Sequence, residues 1–196
     1  MRTLLPLGNP GPEYAATRHN LGRLMLQRLF EDRGLRPAVL EQLPSGRLYG
    51  LGPTLQALVP ATYMNHSGQA LKEALDRGLP AESLLLLVDD KDLPLGMGRF
   101  RTGGKDGGHN GLRSLHQAIG TEEIPRLRLG IGPFTRPLHE FVLGEWTAEE
   151  WTVIDRTDAP FGAFLDLVAA GLEPEALAGK VNDPAFWPAR LPDSGA

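Results

Sequence analysis

The chain has 196 residues, 41% hydrophobic and 22% charged, which is the composition of one soluble domain with a sizeable core. It contains no cysteine, which excludes disulfides, thiolate metal sites and a cysteine nucleophile. The formal net charge is -4, so a nucleic-acid partner would have to be met by a local cluster of Lys and Arg rather than by a basic chain.

The opening segment, Met1-Arg2-Thr3-Leu4-Leu5-Pro6, is too short an apolar stretch for a secretory signal. No run approaches the ~18 apolar residues of a membrane span, so a soluble cytoplasmic protein is expected. Residues 2–7 read as a first strand, although Pro6 removes a ladder donor. Asn9-Pro10-Gly11-Pro12 is a turn. Asn20 then stands where it can cap a helix whose apolar face is Leu21, Leu24, Met25 and Leu29. Residues 48–51 and 55–59 flank Gly52-Pro53 and predict a hairpin. Ser67 is a candidate cap for a second helix with Ala70, Leu71, Ala74 and Leu75 inward. The continuous apolar run 84–88 predicts a strand buried on both faces, and Asp89 follows it. A glycine-rich loop leads to a helix carrying Leu112, Leu115 and Ile119, and residues 127–131 form another strand. Thr147-Ala148-Glu149-Glu150 is a capping box opening a late helix, which Pro160 is expected to kink or divide. Strands alternating with helices predict a single-domain, three-layer α/β/α sandwich with a mixed, mostly parallel sheet. Its catalytic domain would span residues 1–182. The tail 183–196, rich in Pro and small residues, is expected to fray.

The polar residues cluster where ligands sit in such folds, beyond the carboxyl ends of strands. His19 lies just before a helix, and neutral imidazole is the side chain best matched to taking a proton near pH 7; its other reading is a loop residue at a helix start. A carboxylate such as Asp89 at a strand end can fix the tautomer of an imidazole and stabilise the imidazolium. The run Asp89-Asp90-Lys91-Asp92 reads equally as a solvated acidic turn or a magnesium site, although its spacing is not that of an EF-hand. The loop Gly103-Gly104-Lys105-Asp106-Gly107-Gly108 is neither a P-loop nor a dinucleotide fingerprint, but its glycines let backbone N–H groups approach a phosphate. There is no Gly-x-Ser-x-Gly elbow, so water is the expected nucleophile of any hydrolase built on this chain. Asn9, Asn65 and Asn110 offer amides that can hold a carbonyl or an oxyanion, or simply form turns; capping is the favoured role for Asn20. Arg99 and Arg101, two apart on a strand, form one basic rim or one solvated face, with Lys105, Arg113, Arg126 and Arg128 nearby in sequence.

Together these segments resemble the bacterial peptidyl-tRNA hydrolase family. The matching pieces are Leu7-Gly8-Asn9-Pro10-Gly11-Pro12-Glu13-Tyr14, Thr17-Arg18-His19-Asn20 and Pro60-Ala61-Thr62-Tyr63-Met64-Asn65-His66-Ser67-Gly68. They continue with Asp89-Asp90-Lys91-Asp92-Leu93-Pro94-Leu95-Gly96, the loop from Gly103 to Asn110, Arg126-Leu127-Arg128-Leu129-Gly130-Ile131-Gly132 and Phe141-Val142-Leu143-Gly144. The order spans nearly the whole chain. The resemblance implies a monomeric esterase that frees tRNA from stalled peptides with neither cofactor nor metal. It implies His19 as general base, Asp89 as the acid that orients it, and Asn9 as the residue that tells a blocked amino end from a free one. It implies that Asn65 and Asn110 hold the substrate and the attacked carbonyl, Asn9 and Asn110 also counting as catalytic. Tyr14 and Tyr63 would meet the tRNA end, Arg101 and Arg128 the tRNA phosphates, and Met64 and His109 are further substrate-binding positions. The chain departs from the family pattern at Pro6, where glycine is common, at Val88, where histidine is frequent, at Lys91, where an apolar residue is usual, and at Lys105 and Asp106 inside the loop. A non-catalytic RNA-binding relative of the same fold and a small-molecule esterase are the alternatives.

Overall fold

The computed structural model describes residues 1–134 and 137–187. Seven strands, β1 (Arg2–Pro6), β2 (Ala38–Leu43), β3 (Gly46–Gly50), β4 (Leu55–Pro60), β5 (Leu84–Pro94), β6 (Gly98–Arg101) and β7 (Arg126–Gly132), form one sheet in the order β2-β3-β4-β1-β5-β7-β6. The central strands β4, β1, β5 and β7 are mutually parallel, while β2, β3 and β6 pair antiparallel towards the two edges. The sheet is therefore mixed, with its parallel part in the centre.

The helices α1 (Leu21–Asp32), α2 (Ser67–Asp76), α3 (Asn110–Ile119), α4 (Leu138–Val142), α5 (Ala148–Ala169) and α6 (Pro174–Val181) cover the sheet. Alternation along the buried strand sorts its side chains between two layers. Leu85 and Leu87 enter the core under α1, α5 and α6, whereas Leu84, Leu86 and Val88 enter the core under α2 and α3. The three-layer reading follows from that run of apolar residues, since a strand with both faces covered has no polar face to alternate with. No helix among the described residues is long and apolar enough to cross a membrane.

Several local expectations are corrected. Strand β5 runs on to Pro94, so Asp89 lies within it rather than after it, and regular pairing with β7 breaks between Asp90 and Pro94. Strand β2 was not legible because it is an edge strand with little to bury; Val39 and Leu40 are exposed. Pro160 does not divide its helix: α5 is continuous from Ala148 to Ala169, behind the Thr147–Glu150 capping box. Ser67 is the first residue of α2 and its Oγ donates back to the Met64 carbonyl at 2.9 Å, so it does not cap that helix. The tail does not fray at residue 183. Trp187 is 1% exposed, its ring packs against Gly98, and its Nε1 donates to the Val181 carbonyl at 2.8 Å. Asn182 completes the strap by hydrogen bonding both backbone groups of Phe100 on edge strand β6. Residues 188–196 lie outside the described residues.

One close approach sets the distance between α1 and the sheet. A Cβ on Gly22 would lie 2.6 Å from the backbone oxygen of Leu87, two residues before Asp89. Only a residue without a side chain lets the first turn of α1, and the loop before it, come down onto β5. Gly22→Ala is expected to destabilise the fold by about 1–3 kcal/mol and to lower activity beyond that loss, because it moves His19 away from Asp89. Thermal melting and kinetics on the same preparations check this; an alanine variant with unchanged melting and rate would contradict it.

Candidate active site

Loops at the carboxyl ends of adjacent parallel strands bring the polar residues together. Asn9 follows β1, residues 61–66 follow β4, and Asp89 lies one residue before the last regular pairing of β5 with β7. His19 sits in a single helical turn (Arg18–Asn20) that leads directly into α1. Its position is fixed by its neighbour. Arg18 is 3% exposed, donates to the Glu145 carbonyl at 2.7 Å and to Glu150 at 2.6 Å, and lies over the rings of Phe141 and Trp146.

Asp89 is 5% exposed and is held by two imidazoles. His19 Nδ1 is 3.0 and 3.1 Å from the two carboxylate oxygens, and His109 Nε2 is 3.0 Å from Oδ1. The tautomers follow from the partners. An ionised carboxylate only accepts, so both nitrogens facing it carry protons. His109 Nδ1 accepts from the backbone N–H groups of Gly111 and Leu112, which makes His109 the side-chain cap of α3 and keeps its proton on Nε2. His19 donates from Nδ1, leaving Nε2 as a free base.

The electrostatics agree with that assignment. Burial disfavours the charged form of Asp89, but the two histidines outweigh it and hold the carboxyl far below its usual range. For His19, burial lowers the pKa and the charge and hydrogen bond of Asp89 raise it; the net direction is upward. The ligand atoms of His19, Asp89 and His109 lie within 4.8 Å of one another, close enough on distance alone for one metal ion. The donor set does not suit one. A metal-bound histidine normally keeps its proton on the other nitrogen, and here that nitrogen of His109 is already an acceptor. The rest of the acidic run is partnered: Asp90 accepts from Arg128, and Asp92 pairs with Lys91.

A groove of about 640 Å³ opens over this trio. His19, Asp89, Arg101, residues 103–110 and Arg128 line it, with Leu138 and Val142 from α4 on one wall. Asn110, the first residue of α3, is exposed in this groove beside His109. Arg101 is exposed, with Arg99 on the same side of β6 as expected for positions two apart. Arg128 is bound to Asp90 rather than free. Arg126 departs from the expected basic rim. It is 2% exposed and donates to the carbonyls of Gly104, Lys105, Glu122 and Ile124, so it fixes the base of the glycine loop.

Asn9, Tyr14, Tyr63, Met64 and Asn65 are not among the residues lining that groove; they form a second cluster at the ends of β1 and β4. Tyr14 and Tyr63 meet edge to face with centroids 6.1 Å apart, and Tyr63 is 54% exposed. Asn65 is exposed beside His66, while Met64 is buried against Gly111. Asn20 joins the two clusters. It makes no helix cap; its Oδ1 accepts from the Asn9 N–H at 2.8 Å and its Nδ2 donates to the Asn9 carbonyl at 2.9 Å. Asn9 Oδ1 in turn accepts from the Met64 N–H at 2.8 Å, so the amide atom left for a ligand is the Nδ2 donor. Sequence reasoning passed over Arg18, Asn20 and Arg126 in these roles. Their residue types gave no sign of it, because an exposed cap or a basic rim uses the same residues.

Comparison with known proteins places this geometry. The sequence model of the family described as peptidyl-tRNA hydrolase matches residues 3–184. A peptidyl-tRNA hydrolase of Synechococcus sp. (strain CC9605) is 43% identical over 185 residues, covering 88% of this chain and 86% of its own. One from Thermoanaerobacter sp. (strain X514) is 37% identical over 176 residues, covering 88% and 96%. Among solved structures, the crystal structure of peptidyl-tRNA hydrolase from Acinetobacter baumannii superposes with a TM-score of 0.79 at 31% identity, covering 97% of this chain and 96% of that one. The chain belongs to the peptidyl-tRNA hydrolase family.

Proposed function

We propose that this chain hydrolyses the ester between a peptide, or an N-blocked aminoacyl group, and the 3′-terminal ribose of tRNA, with His19 as general base. The observation that carries the reading is the His19–Asp89 pair, which leaves a basic Nε2 in a groove of a chain of this family. His19 Nε2 takes a proton from water as the oxygen attacks the ester carbonyl. The tetrahedral oxyanion then collapses, the ribose oxygen leaves, and the proton on His19 passes to it. Asp89 keeps His19 in the productive tautomer and stabilises the imidazolium.

Asn110 stands at the N-terminus of α3, where side-chain N–H and helix dipole act together on a developing negative charge. The free Nδ2 of Asn9 is a donor, matched to a carbonyl of an acylated amino end and mismatched to an ammonium. Asn65 holds the same end of the substrate, and buried Met64 shapes the site from behind by fixing Asn9 through its N–H. The Tyr14–Tyr63 shelf suits stacking of the terminal bases. Arg101 takes tRNA phosphate, and Arg128 does so once it leaves Asp90. Peptidyl-tRNA is released during translation, so the reading places the protein in the cytoplasm, and one chain supplies every group named, so it acts as a monomer.

The direct test is peptide release from an N-acetyl-aminoacyl-tRNA in buffer with chelator. His19→Ala is expected to lower kcat by about 10²–10⁴-fold, far beyond the modest loss of stability from withdrawing one donor from buried Asp89; retained activity in the folded variant would move the base elsewhere. The pH dependence gives a second check. Only neutral His19 is a base, so kcat/KM should fall as pH drops through a pKa above 6.5, the ordinary value. Asp89→Asn removes the groups that raise that pKa and leaves the burial that lowers it. The acidic limb should shift to lower pH while the plateau rate drops. An unshifted limb in Asp89→Asn would assign the titration to another group.

A further inference from the structure

Arg23, on the first turn of α1, is a half-buried cation with no carboxylate partner among the described residues. Its stem passes directly over Gly8, where a Cβ would meet its Cδ at 2.6 Å. One terminal nitrogen donates to the Asn9 carbonyl at 3.3 Å and the other to the Pro60 carbonyl. Nε is buried with no partner. Among the described residues no acidic group lies within ion-pair range of it, whereas Arg18, Arg28, Arg33 and Arg128 each pair with one. Burial lowers its pKa to about 10, which leaves it charged at neutral pH.

An unpaired charge with its Nε shut away from water and only carbonyls as partners needs a reason, because carbonyls do not neutralise a guanidinium. The two carbonyls belong to the segments that carry Asn9 and lead to Met64 and Asn65. Asn9 thus has a fixed positive charge on its carbonyl, and its side chain keeps an N–H donor for a ligand. A free aminoacyl end brings an ammonium to this point, and an acylated one brings a neutral amide. We propose that Arg23 is a specificity-determining residue, whose unpaired charge repels a free α-ammonium at Asn9 and so favours N-blocked over free aminoacyl-tRNA. This rests on the reading of the chain as a peptidyl-tRNA hydrolase with Asn9 at the amino end. A like charge within about 10 Å at an effective dielectric of about 20 corresponds to a discrimination on the order of tenfold.

The test compares three esters of one tRNA: N-acetyl-aminoacyl, aminoacyl, and the α-hydroxyacyl analogue, in which a neutral hydroxyl replaces the ammonium. The hydroxyacyl-to-aminoacyl ratio of kcat/KM isolates the charge. It should be about tenfold or more in the wild type, persist in Arg23→Lys, and fall towards one in Arg23→Gln, which keeps an N–H donor without the charge. Loss of a merely structural contact would lower all three rates together and leave the ratio alone. An unchanged ratio in Arg23→Gln overturns the inference. A wild-type ratio near one also overturns it, without recourse to any variant, should Arg23→Gln fail to fold. Failure of the wild type to cleave the N-acetyl ester would instead overturn the parent reading.

Discussion

The site depends on one buried carboxylate. Asp89 has almost no water and no permanent cation, yet two imidazoles and their N–H groups keep it ionised. Burying a charge is costly unless every lone pair is used. Here one donor, His109, is itself locked by the N-terminal N–H groups of α3, and the other, His19, is locked by the turn that Arg18 pins to the α4–α5 side. The two histidines therefore hold opposite tautomers around one acid. One imidazole is spent as a support, and the other is left with a basic nitrogen in the groove.

The fold delivers these groups because the strands that carry them are adjacent and parallel. β1 ends opposite Leu87, two residues before Asp89 on β5, and the alternation of β5 turns Asp89 to the face on which α1 lies. Gly22 permits the approach of α1, and Asn20 couples its start to Asn9 through a two-way hydrogen bond with the backbone. On the other side of β5, Arg126 ties the glycine loop down from β7. The loops that touch substrate in this account are thus held by buried polar side chains, which are sensitive to geometry in a way that apolar packing is not.

Much of this was legible in the sequence. The apolar run 84–88 forced a strand covered on both faces, and with it the layered architecture. Imidazole and carboxylate at a helix start and a strand end made His19 and Asp89 candidates, and the family resemblance gave them their roles. Local signals failed where tertiary partners decided the outcome. Asn20 has the residue type and position of a cap, but the Asn9 backbone competes for its amide. Arg126 and Arg128 lie two apart on one face of β7, yet the glycine loop buries the first and Asp90 takes the second. Trp187 follows a stretch rich in small residues and proline, and only the space over Gly98 shows why it packs.

The central claim is the pair of opposite tautomers around Asp89. Long-range ¹H–¹⁵N NMR of the imidazole rings at neutral pH reads it directly. The account predicts a protonated Nδ1 with a free Nε2 for His19, and a protonated Nε2 with an acceptor Nδ1 for His109. A His19 ring protonated on Nε2, with Nδ1 bare beside Asp89, would contradict it.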